Sequence, residues 1–148
     1  MEEKVVAISG GFDPIRFGHL KLIEDAKRLG GKLVVILNND NWLKKNKGWF
    51  FMNADERKAI LLKNIDVDEV IITNHKINDK DNSVCNELAK LNPTIFANGG
   101  NHTEKTIPEY ELCKKNGIQT IFNVGGEKVQ SSYGITSEEF NKAKNGKL

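Results

Sequence analysis

Cysteine is scarce in this sequence, and so is any excess of charge. Cys85 and Cys113 are the two cysteines in 148 residues. Neither sits in a CxxC pair or at metal-ligand spacing. A disulfide scaffold and a structural zinc site are therefore excluded as organising principles, and two reduced thiols are expected. Lys and Arg number 22 against 20 Asp and Glu, a formal net charge of +2. So small a bias, with no basic stripe along the chain, argues against a nucleic-acid partner. No apolar run nears the length of a membrane span, and none at the start reads as a signal peptide, so the expected setting is cytoplasmic with no membrane partner. Repeats, linkers and low-complexity tracts are missing too. What is present is ordinary: 39% hydrophobic and 28% charged residues. That composition and length predict one globular domain over residues 1–148 with a core of its own.

The apolar pattern alternates between two periods. Lys4 to Ser9 is a β-branched run closed by Gly10-Gly11 and predicts a buried strand. From Gly18 to Leu29 the spacing becomes helical and stops at Gly30-Gly31. Leu33 to Leu37 is apolar throughout, as a parallel strand covered on both faces should be. Asn38 to Met52 is polar, then lysine-bearing, then aromatic, and reads as a long functional loop. Asn53 with Glu56 three residues on predicts an N-cap for a helix to about Lys63. Strands are expected at Glu69–Thr73, Thr94–Ala97 and Ile118–Phe122, with helices at Asn82–Leu91 and Thr106–Asn116. Thr136 with Glu139 predicts a last short helix over 136–146. The expected fold class is α/β: a Rossmann-like, doubly wound, five-stranded parallel sheet. Ligands in such folds sit beyond the carboxyl ends of the strands.

The segment from Gly10 to Leu20, GGFDPIRFGHL, stands at such an end. Gly10, Gly11 and Gly18 permit tight turns and close approach of a ligand to the backbone. Pro14 stiffens the loop. His19 falls at a helix start, where free N–H groups and the helix dipole favour anions. A polyphosphate is the natural anion for such a place.

This loop resembles the G-x-F-D-P-x-H/T-x-G-H loop of the cytidylyltransferase-like nucleotidyltransferases, through Gly10, Phe12, Asp13, Pro14, Gly18 and His19. Arg16 stands where the family usually has His or Thr. Arginine forks onto phosphate oxygens but does not exchange protons near neutral pH. Further along, Arg57 resembles the arginine of the family's helix before the third strand. Lys44, Lys45 and Lys47 fall where relatives place lysines on the triphosphate. Asn98, Gly99, Gly100 and Asn101 resemble a Gly-Gly-Asp turn on the substrate side. Lys128, Ser131 and Ser132 resemble the family's C-terminal phosphate-binding motif.

The resemblance implies transfer of CMP or AMP from CTP or ATP to a phosphorylated small molecule, such as glycerol phosphate or a sugar phosphate, with release of pyrophosphate. It also implies Mg²⁺ carried on the triphosphate, and a homodimer as a common state. The expected catalytic residues are His19, Arg16, Lys44 and Lys47. The expected nucleotide-binding residues are Gly10, Gly11, Phe12, Gly18, Arg57, Asn98, Gly99, Gly100, Lys128, Ser131 and Ser132. The incoming phosphate is already a nucleophile, so the protein must align two anions and neutralise charge. Asp13 is expected to fix the loop through backbone bonds, and His75 and His102 to be structural or solvated. Trp49 to Met52 fits either a subunit contact or an anchor of the loop. Two other functions compete: a nucleotide-binding module without turnover, and a class I aminoacyl-tRNA synthetase relative. The second lacks a Lys-Met-Ser-Lys-Ser segment and the necessary length.

Overall fold

Five parallel strands pair in the order β3-β2-β1-β4-β5 in the computed structural model, which describes residues 3–100 and 102–126. The strands are β1 (Val5–Gly10), β2 (Lys32–Leu37), β3 (Glu69–Ile72), β4 (Ile95–Gly99) and β5 (Gln119–Val124). The helices are α1 (Phe17–Arg28), α2 (Asp40–Lys47), α3 (Ala54–Leu62), α4 (Cys85–Leu91) and α5 (Tyr110–Lys115). β1 runs in register with β2 from Val5↔Lys32 to Gly10↔Leu37. The chain steps outward from β1 through β2 to β3, then returns to the other side of β1 for β4 and β5. The strand order therefore reverses beside β1, the position at which open α/β sheets hold ligands.

The period-2 alternation of β1 divides the core. Val6 and Ile8 pack with Ile23 and Ala26 of α1 and Leu61 of α3. Ala7 faces the other layer with Leu88 of α4, Phe96 and Cys113 of α5. β2 is sealed from Leu33 to Leu37, which is why its sequence shows no polar alternation. The α/β reading from the sequence thus holds: a doubly covered, all-parallel, five-stranded sheet.

Several boundaries differ from expectation. The stretch 38–52 is not one long loop. Its first half folds as α2, capped by Asn39, whose side chain accepts the Trp42 N–H at 3.0 Å. Only Leu43 of this helix is buried, so it carries no apolar stripe that a sequence pattern could show. α4 starts later than Asn82 because Asp81 takes the Ser83 N–H and hydroxyl in a local turn. α5 is shortened because Thr103 and Thr106 bond each other ahead of Pro108. The cap of α3 is as expected: Asn53 Oδ1 accepts the Glu56 N–H at 2.9 Å. The anticipated 136–146 helix lies outside the described residues, as do Asn101, Lys128, Ser131 and Ser132.

Candidate nucleotide site

The loop after β1 is built from underneath. Phe12 takes a left-handed backbone conformation (φ 48°) and turns its ring into the protein, where it is 2% exposed. Its ring lies 4.8 Å from that of His19, at 54°. A Cβ on Gly11 would stand 2.9 Å from Leu43 Cδ2. A side chain at Gly11 would therefore meet α2, packed beneath the loop, while the residue itself lines the cavity. At Gly18 an added Cβ would have nothing within 4 Å, and the residue lines the cavity.

Arg16 is the N-cap residue of α1 and His19 its third helical residue. The Arg16 backbone N–H donates to His19 Nδ1 at 3.0 Å. This is the N3 side chain's half of a capping box, made by a histidine in place of the usual Glu or Gln. A neutral imidazole that accepts at Nδ1 carries its proton on Nε2. The fold thereby fixes both ring orientation and tautomer, and makes Nε2 a donor.

A cavity of about 270 Å³ opens above this loop, at the carboxyl ends of β1, β4 and β5. Arg16, His19, Lys21 and Lys47 line it. Asp13 is the only carboxylate among the described lining residues. Its two oxygens accept the N–H groups of Phe51 and Met52 at 2.7 and 3.0 Å. The lining is thus electropositive, and its one acid is engaged in holding a neighbouring loop.

Over residues 7–140 the chain matches the family model described as cytidylyltransferase-like. It belongs to that family. FAD synthase of Thermococcus sibiricus is 34% identical over 119 residues, which is 78% of this chain and 76% of the relative. The bifunctional protein HldE of Campylobacter jejuni subsp. doylei is 34% identical over 116 residues, 77% of this chain. The chain spans about a quarter of that relative's length (24%). Among solved structures, the lipopolysaccharide core biosynthesis protein from Thermoplasma volcanium superposes with a TM-score of 0.66 at 23% identity, over 82% of this chain and 94% of that one. That likeness is one of fold.

In this cytidylyltransferase-like chain the anticipated residues separate into those that line the cavity and those that do not. Gly10, Gly11, Phe12, Arg16, Gly18, His19, Lys47, Asn98, Gly99 and Gly100 line it. Lys44 does not: its ammonium lies 5.6 Å from the Phe50 ring centroid, beside a separate groove on the outer side of α2. Lys45 donates to the Asp79 carbonyl.

Arg57 departs furthest from expectation. It is fully buried. Its guanidinium donates to the carbonyls of Met52 (2.9 Å), Gly11 (2.8 Å) and Asn38 (2.6 Å), and to Asp40 Oδ1 (2.7 Å). A guanidinium surrounded by its own carbonyls is not placed to meet a phosphate, so Arg57 positions the loop instead of binding nucleotide. His75 is structural as expected, held between Thr73 Oγ1 at 2.8 Å and the Ser83 carbonyl at 2.9 Å.

Other lining residues escaped the sequence reading: Lys21, Trp42, His102, Gly125 and Gly126. Gly125 (φ 84°) carried a readable signal, the Gly-Gly that follows the last strand. A Cβ there would stand 2.9 Å from the Leu22 backbone nitrogen, so β5 can close against α1 only without one.

Proposed function

We propose that this chain transfers a nucleoside monophosphate, CMP or AMP, from an NTP to a phosphorylated small molecule and releases pyrophosphate. The observation that carries the reading is His19. Its ring is locked by the Arg16 N–H at the start of α1, with Nε2 as donor, in a cavity lined by cations. Such a site suits a reaction in which the acceptor phosphate oxygen attacks the α-phosphorus and charge builds on the phosphate oxygens. His19 Nε2–H donates to the α- or β-phosphate as that charge develops. Arg16 neutralises equatorial oxygens, and the N-terminus of α1 adds its dipole. Lys47 closes over the phosphates, and Lys44 joins it only by leaving the Phe50 ring.

On this reading Mg²⁺ would be carried by the triphosphate and not by a protein cluster. No group of three or more His, Cys, Asp or Glu among the described residues could hold a metal. The chain supplies cations and N–H groups to the oxygens that the ion leaves uncovered. Bound, the ion would supply charge neutralisation.

The test is pyrophosphate release with Mg²⁺, CTP or ATP, and a panel of phosphorylated acceptors, with His19→Ala in parallel. Release that needs one NTP and one acceptor, and is lost in His19→Ala, establishes the reaction. NTP binding with no release for any pair overturns it and leaves a nucleotide-binding module.

A further inference from the structure

Helix α2 brings Lys47 to the cavity, yet the apolar core holds little of it. Leu43 is its one buried residue, whereas α1 buries both Ile23 and Ala26. Directional polar bonds must therefore fix where α2 lies. Arg57 supplies one, at Asp40. A strap over residues 73–83, which leaves β3 and leads to α4, supplies more.

The strap follows α2 along its length. At the helix start, the His75 carbonyl accepts Asn39 Nδ2 and Asn41 Nδ2, each at 2.9 Å. Further along, the Asn82 carbonyl accepts the Trp42 Nε1–H at 2.9 Å and the Asp79 carbonyl accepts the Lys45 ammonium. Asn46 Nδ2 reaches Asn82 Oδ1 at 3.3 Å. Most of these acceptors are backbone, so the strap must itself be held in shape.

Two side chains hold it. Thr73 Oγ1 accepts the backbone N–H of Asn39, the α2 cap, at 3.0 Å and lies 2.8 Å from His75 Nδ1. His75 Nε2 lies 2.9 Å from the Ser83 carbonyl, at the far end of the strap. A carbonyl only accepts, so Nε2 carries a proton, and a neutral ring then accepts the Thr73 hydroxyl at Nδ1. The bonds run in one direction, from the cap of α2 through Thr73 and His75 to Ser83. Thr73 and His75 are both buried, where water does not replace such bonds.

On the transferase reading, on which this inference rests, Lys47 closes over the phosphates. We propose that Thr73 and His75 are positioning residues for Lys47: they set the lie of α2 and, through it, the place of the ammonium over the cavity. Neither residue lines the cavity itself. The cap and Lys47 stand at opposite ends of the helix, about 12 Å apart along its axis, so a tilt of about 10° at the cap moves Lys47 by about 2 Å. Misplacement on that scale is enough to weaken a phosphate contact severely.

The test is a double-mutant cycle with Lys47→Ala. Thr73→Val keeps the side-chain shape and removes the hydroxyl, whereas Thr73→Ser keeps the hydroxyl. Two quantities are read: the Kd of CTP or ATP with Mg²⁺ by calorimetry, and kcat/KM for pyrophosphate release with the acceptor that the panel identifies. Thr73→Val should worsen both by about tenfold in wild type and by less than about twofold in Lys47→Ala, where no ammonium is left to misplace. His75→Ala should follow Thr73→Val, and Thr73→Ser should stay within about twofold of wild type. Asn41→Ala removes one of the two amides on the His75 carbonyl without altering the buried pair. It should show the same coupling at about threefold, and it keeps the test open should Thr73→Val not fold. Residues that only stabilise the fold would lower Tm and leave the constants of the folded protein where they were.

Equal losses with and without Lys47 overturn the proposal with the transferase reading intact. So do Thr73→Val and Asn41→Ala that both stay within about twofold of wild type. If no acceptor supports release, the NTP-binding cycle decides alone, and coupling there sustains the positioning role although the transferase reading has failed. Absence of NTP binding defeats both.

Discussion

The loop from Gly10 to His19 and the brace behind it, from Asn38 to Arg57, both use arginine, in opposite ways. In the loop, Arg16 lines an open cavity alongside His19. In the brace, Arg57 is fully buried and spends its donors on three carbonyls and Asp40. The front charge faces the cavity. The rear charge ties the turn after β1, the end of β2, the start of α2 and the approach to α3 to one point. A buried charge is tolerated because each bond offsets its desolvation, and removing one partner leaves the others unpaired. The contrast shows that partners within the fold decide what each arginine near the cavity does.

The contrast breaks most visibly at Arg57. Arg57→Ala leaves the Gly11, Asn38 and Met52 carbonyls and Asp40 without their donor. The expected loss is about 3–5 kcal/mol of stability. At roughly 2–4 °C per kcal/mol for a chain of this size, that lowers Tm by about 6–20 °C. Arg57→Lys should recover little, because an ammonium cannot span the same fork. Thermal unfolding checks both variants. A Tm within 2 °C of wild type, with NTP affinity lost, would return Arg57 to the ligand side of the comparison.

His19→Ala is the mirror experiment. It should cost about 1 kcal/mol of stability through the lost Arg16 N–H bond, far less than Arg57→Ala, and reduce kcat by about 10²–10³, equivalent to about 3–4 kcal/mol of barrier. Single-turnover rates with saturating NTP measure it. A variant that unfolds early, or one that keeps its rate, would remove the distinction between front and rear.

The fold was legible because its strands announce themselves: Leu33 to Leu37 is buried on both faces and shows it as an unbroken apolar run. The loop from Gly10 to His19 was legible because its chemistry is local, with Arg16 and His19 bonding each other within three residues. α2 escaped because it is short and lysine-rich and buries one residue, Leu43, too little for an apolar run to stand out from a loop. Arg57 escaped because its decisive partners, Gly11 and Asn38, are remote in sequence and are carbonyls, which every residue possesses. Trp42 escaped for a related reason: the Asn82 carbonyl that fixes its indole comes from the segment ahead of α4. Sequence patterns report burial and local bonds, and the rear of the site is made of non-local bonds to backbone.

Asp13 joins the two regions and predicts a smaller effect. It holds the Phe51 and Met52 N–H groups, while Arg57 holds the Met52 carbonyl from the other side. Asp13→Asn keeps one acceptor oxygen and loses the other. Stability should fall by about 1–2 kcal/mol, with kcat reduced far less than in His19→Ala. A loss of rate equal to that of His19→Ala, at unchanged Tm, would move Asp13 from the brace to the chemistry.

The smallest effect sharpens the rule that burial must be matched by bonds. Glu109 is buried, and its Oε2 accepts the Val84 N–H at 2.9 Å, ahead of α4. Burial pushes its carboxyl above the usual 4.5; Asp81 adds to the rise, while the Val84 bond, Glu109's own backbone N–H and His102 oppose it. Unlike Arg57, whose bonds surround the charge, Glu109 has bonds too few to cancel its desolvation. A carboxyl with a raised native pKa binds its proton more tightly folded than unfolded. It therefore costs stability as pH rises from the unfolded value through the folded one. Glu109→Gln keeps an acceptor for Val84 and removes the ionisation. Its stability relative to wild type should rise between about pH 4.5 and neutrality, ending within about 1 kcal/mol of wild type and on the stabilised side. Urea midpoints for both proteins across that range measure the difference. A difference that falls with pH would mean that the charged bond to Val84 outweighs burial, and that Glu109 is matched in the way Arg57 is.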